Sequence, residues 1–124
     1  MTGLAGAGVS GAGLRRLSRG VGTRTVTPVP SYRVSIGVGL LRPGVDPAHV
    51  LPTAAAAARE LATVEASDLA VTHGEARITV RFTVADDERA LAVGQHVVAT
   101  VDGLGDTTRP TLDRRAGPRW TPVR

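Results

Sequence analysis

Two short stretches of the chain interleave donors with apolar residues. Arg33 and Ser35 alternate with Val34 and Ile36, and Arg77, Thr79, Arg81 and Thr83 alternate with Ile78, Val80 and Phe82. Guanidinium groups bind carboxylate and phosphate through paired N–H donors, and hydroxyls add donors between them. If both stretches are strands of one sheet, Arg33, Ser35, Arg77 and Arg81 form a candidate site for a small anionic or amino-acid-like ligand. Gly37 and Gly39 would let a ligand or another backbone come close. A solvent-facing antiparallel face carries the same polar pattern without any ligand. A second set lies near the C-terminus, where Arg114, Arg115, Arg119 and Trp120 combine the residue types that dominate binding hot spots. Trp120 either folds back on the sheet edge or the alanine-rich helix, or stands out as an anchor for a partner. Docking is the expectation, because the core is short of large side chains.

Other chemistries find no support. The chain has no cysteine, which removes disulfides, thiolate metal sites and a cysteine nucleophile. His49, His73 and His96 fall on a helix start, a hairpin tip and the polar side of a second helix, so no shared metal site is expected. Ser10, Ser18, Ser31, Ser35 and Ser67 have no evident base beside them. Asp86, Asp87 and Glu88 open a helix, where the helix dipole favours acids without any cation. Gly6, Gly8 and Gly11 match the letters of a dinucleotide fingerprint, but no strand precedes them. Arg15 and Arg16 are not followed by the apolar run of an export signal. No cofactor and no catalytic role are expected, and a cytoplasmic location is.

Charge is distributed unevenly over the 124 residues. All 15 cations are arginine, and residues 1–31 hold four of them with no acid. Residues 32–108 hold six arginines against ten acids, and residues 109–124 five against Asp113 alone. Basic ends on an acidic middle permit contact with nucleic acid or an acidic partner through the termini. Phe, Tyr and Trp occur once each, so an aromatic platform for stacking bases on the sheet is not expected. No apolar run approaches the ~20 residues of a membrane span.

The elements that must position these residues follow from periodicity. Residues 1–31, rich in Gly and Arg, are expected to be a disordered arm, because they cannot bury enough apolar area to offset ordering. Over Arg33 to Leu41, Val34, Ile36, Val38 and Leu40 share one face of a first strand, and Arg42-Pro43-Gly44 ends it. Asp46 caps a helix with Pro47 at its first position. Pro52 makes this opening either a separate short turn or a kinked first turn. The run Ala54 to Ala58 with Leu61 is helical in both cases. Residues 68–84 read as a hairpin turning at His73-Gly74, and Asp86 or Asp87 caps a second helix that ends at Gly103. A short edge strand within Thr107 to Arg115 is weakened by Pro110. Residues 117–124 are expected to be an irregular basic tail.

This order gives an α+β fold, a ferredoxin-like βαββα(β) sandwich over residues 32–116, with an antiparallel sheet and two helices on one face. Arg42-Pro43-Gly44-Val45, between the first strand and first helix, with a hairpin and second helix following, resembles the ACT-type regulatory domains over Tyr32 to Leu104. That resemblance implies a small-ligand-binding module, dimeric at the ligand site, with Gly44 where the backbone approaches ligand. Asp46-Pro47 and Pro52 depart from the family's helix start. Metal-transfer domains of the same plan carry a CxxC that is absent here. The expectation is a non-catalytic binding or assembly module, a homodimer with a small anionic ligand and no membrane contact. The alternative is nucleic-acid or acidic-partner binding through the arginine-rich termini.

Overall fold

In the computed structural model, which describes residues 29–123, the strict alternation after Pro30 becomes β1, Ser31–Leu41. The arm expected over residues 1–31 lies outside the described residues except for its last three. The other elements are α1 (Val50–Arg59), β2 (Thr63–Thr72), β3 (Glu75–Thr83), α2 (Asp87–Asp102), β4 (Gly105–Ala116) and β5 (Arg119–Pro122). The strands form one antiparallel sheet in the order β2-β3-β1-β4-β5, and the fold is α+β.

One face of the sheet carries the core. Tyr32, Val34 and Ile36 lie opposite Phe82, Val80 and Ile78, so all six point the same way, and all six are buried. The Tyr32 and Phe82 rings stack at 5.8 Å, which gives two of the chain's three aromatics to a single contact. Each large apolar side chain buried here contributes roughly 1.5–3 kcal/mol. From α1, Ala54, Ala57 and Ala58 close on them, and from α2, Ala90, Val93, Val97 and Val101. Alanine methyls let α1 approach closely but cover little area, so the far end of β2 stays bare on this side. Leu69 and Val71 are 51% and 70% exposed there.

Local signals set the boundaries. Asp46 accepts from the Ala48 N–H and opens a separate 3-10 turn, Pro47–His49, before α1. Pro52 then falls within the first turn of α1, where a missing N–H costs nothing. Asp86 caps α2 by accepting from the Arg89 N–H. His73 and Gly74 both have positive φ, which makes the β2–β3 connection a tight hairpin turn.

Three expectations are corrected. Leu40 does not face the helices: pairing with β4 slips between Val38 and Leu41, so Leu41 packs on the core and Leu40 is 80% exposed. The short edge strand is instead the twelve-residue β4, which absorbs Arg109 and Pro110 opposite Ile36 as a bulge. Residues past Gly117 are not irregular, because Gly117-Pro118 turns the chain back and β5 pairs with residues 113–116.

Candidate functional site

Among the described residues, no helix lies on the sheet's second face. Register places Arg81 beside Arg33, Arg33 beside Asp113 and Asp113 beside Pro122, a row across four strands. The next position outward pairs Arg115 with Trp120. Toward the other end, Thr79 and Ser35 are neighbours, then Arg77 and Gly37, then Thr108 and Glu75. The surface is therefore a shallow middle of small hydroxyl side chains with arginines at both ends.

Trp120 organises one end. Its ring lies 4.5 Å from the guanidinium carbon of Arg33, 5.8 Å from that of Arg81 and 5.9 Å from that of Arg115. Each such contact contributes about 0.5–1 kcal/mol at a partly wet site. Arg33 Nε donates to Asp113 Oδ2 at 3.1 Å, and Arg81 reaches Glu65 only at 3.7 Å. Three cations thus face two carboxylates, and the Nε of Arg81 is buried without any hydrogen-bond partner. A buried donor of this kind costs free energy until an acceptor reaches it.

The other end is already satisfied. Arg77 Nε donates to Ser35 Oγ at 2.9 Å and its Nη2 to the Arg109 carbonyl at 2.6 Å. Ser35 and Thr79 share a hydrogen bond of 3.2 Å, and Arg109 pairs with Glu75. Gly37 leaves no room for a ligand either, since a Cβ there would collide with the Thr108 side chain of β4. The space opened by that glycine is taken by the neighbouring strand, the close approach of another backbone being one of the two roles its sequence allows. At Gly39 a Cβ would meet Asp106 only at ordinary contact distance, 3.5 Å.

Of the residues expected to bind ligand, Arg33, Ser35, Arg77 and Arg81 share this face, and Gly44 does not. Gly44 sits in the exposed turn after β1 at φ +84°, where a Cβ would meet nothing within 4 Å. Of those expected to meet a partner, Arg115 and Trp120 join the same face as Arg33 and Arg81. Arg114 and Arg119 alternate to the helix side, where Arg114 bonds Asp87 at 3.1 Å. Trp120 thus folds back half-buried onto the sheet, with three guanidinium groups about its ring. Neither set alone contains this cluster. The signal that joins them is Gly117-Pro118, a two-residue loop with glycine first, which folds Trp120 back beside Arg115.

Asp87 has a structural task. Tyr32 Oη donates to Asp87 Oδ1 at 2.5 Å, and burial, then this bond, pushes the Tyr32 hydroxyl up to about 12. His49, His73 and His96 stay on separate elements, His96 bonding Glu60 at 3.1 Å. Among the described residues no group of three or more histidines and acids could hold a metal, and no helix is long and apolar enough to cross a membrane. Comparison with protein-family models, with curated proteins and with solved structures returned no match.

Proposed function

We propose that this chain is a non-catalytic binding module, built on the ferredoxin-like plan and working as a homodimer, whose helix-free sheet face takes a small anion. The central order β4-β1-β3-β2 with both helices on one side supports the plan, β5 being an addition at one edge. The observation that carries the ligand reading is the Nε of Arg81, buried and unpartnered beside the Arg33 to Asp113 ion pair and at the margin of the Trp120 ring. The Arg81 side chain as a whole is 40% exposed, and a turn of its guanidinium toward a carboxylate or phosphate oxygen would satisfy this donor and balance the third cation. The Trp120 ring would cover the apolar part of the ligand. Ligands of amino-acid or phosphorylated-metabolite type fit this chemistry.

Trp120 is the only tryptophan and therefore the reporter. Its emission and the melting temperature are followed while amino acids, dicarboxylates and phosphorylated metabolites are added to the full chain. At least one class is expected to change both, and Arg81→Met to weaken that response roughly tenfold or more, the loss of one charge-assisted hydrogen bond. No response to any class would overturn the ligand reading. Heparin retention unaffected by Arg81→Met but lost with Arg114, Arg115 and Arg119 would favour nucleic acid or an acidic partner.

A further inference from the structure

The two edges of the sheet are built differently. At the β4 edge, Arg109 takes φ +45° and is followed by Pro110, and the rest of the edge is capped by the four-residue β5 ending in Pro122. Positive φ, bulge, proline and a very short outer strand all hinder another strand from pairing. The β2 edge has no proline, lysine or arginine, and among the described residues it pairs with β3 alone. Nine of its ten residues are exposed, Leu69 and Val71 among them. A bulge at Glu65 and the charge of Asp68 guard part of this edge, but from Ser67 to Thr72 the pairing is regular, and a regular, partly apolar edge is a template for strand addition.

We propose that β2 is where two copies of this chain join, strand to antiparallel strand, into one continuous ten-stranded sheet. The inference rests on the homodimer part of the reading above and names its surface. The β2–β3 hairpin closes on the pair Thr72 and Glu75, so alternation turns the N–H and C=O groups of Ser67, Leu69 and Val71 away from β3. Those groups are the ones a second copy would meet.

Symmetry and charge then narrow the register, and apolar contact favours one of the centres that remain. A two-fold axis between antiparallel strands sets one residue opposite its own copy. Centring on Asp68 would oppose two carboxylates, which is unfavourable. Centring on Leu69 sets Leu69 against Leu69, Ser67 against Val71, and Asp68 against Ala70, with no like charges opposed. Leu69 lies opposite Ile78 and Val71 opposite Ala76, on the helix side, beside an apolar pocket of about 130 Å³ lined by Val38, Leu41, Val50 and Leu51. Leu69 of the second copy would reach the rim of that pocket.

The absence of native cysteine makes the register directly readable. Single-cysteine variants of the full chain, Leu69→Cys and Leu40→Cys, are oxidised at micromolar concentration, and the parent chain is sized by light scattering over a dilution series. Self-opposed Leu69 positions fall within disulfide reach. Leu69→Cys is expected to cross-link several-fold more than Leu40→Cys, and Leu69→Lys to shift the parent dimer to monomer while keeping its circular dichroism. A parent chain that stays monomeric overturns both the dimer and its edge. A dimer that Leu69→Lys leaves intact, or equal cross-linking of the two cysteine variants, overturns the edge alone. None of these outcomes bears on the Arg81 ligand reading, which the Trp120 titration decides separately.

Discussion

Tyr32 shows how one side chain links the core to the helix-capping acids. Its ring stacks on Phe82 and its hydroxyl donates to Asp87, which also receives Arg114. Tyr32→Phe keeps the stack and removes a hydrogen bond to a carboxylate, so a loss of about 1.5–3 kcal/mol is expected in urea unfolding. The folded hydroxyl titrates at about 12 against an ordinary 10.0. Unfolded chains therefore release this proton first, and the stability it supplies is complete below pH 10 and drains away as pH rises toward 12. Wild type should lose stability across that window by a component that Tyr32→Phe lacks, and identical pH profiles would refute the coupling. Residue types alone could not reveal this pair, because Asp87 reads equally well as a dipole-favoured acid at a helix start.

Helices and strands are legible in the sequence wherever one local force dominates. The alternation of Val34, Ile36, Ile78, Val80 and Phe82 carries through into the core because both strands are covered on one side only. Asp46, Asp86 and His73-Gly74 act where local signals place them, each through a hydrogen bond or a backbone angle that needs no distant partner. Leu40 and β4 depart from the periodicity because pairing decides them: the bulges shift the register by steps that only the partner strand imposes. Two glycines separate the local from the tertiary cause. At Gly94, in mid-α2, a Cβ would meet the Leu112 and Val34 side chains only at ordinary contact distance, so Gly94→Ala should add about 0.5–1 kcal/mol through helix propensity. At Gly105 the same Cβ would lie 2.8 Å from the Leu40 carbonyl oxygen, so Gly105→Ala should destabilise by about 1–3 kcal/mol. Thermal unfolding of the two variants checks both signs, and equal effects would contradict the packing described.

On the scale of the whole molecule, the sheet is covered unevenly. One face is closed by α1 and α2, the other is open among the described residues, and of the two edges that of β4 is the more strongly guarded against pairing, that of β2 carrying a single bulge at Glu65. Arg33, Ser35, Arg77 and Arg81 are legible as a shared face because strand period is local. Trp120 is not, since its place depends on a hairpin at Gly117-Pro118 and on β4 reaching that far. The central proposal is that the arginines around Trp120 are the working surface. Its most direct test is the ¹⁵N spectrum of the arginine Nε–H and tryptophan Nε1–H groups of the full chain, recorded while pyrophosphate, and separately a dicarboxylate, is raised to millimolar concentration. The account predicts that one of these probes shifts the signals of Arg33, Arg81, Arg115 and Trp120, Arg81 most of all, and leaves Arg42, Arg59 and Arg89 in place. Shifts confined to those last three, or no shift with either probe, would contradict it.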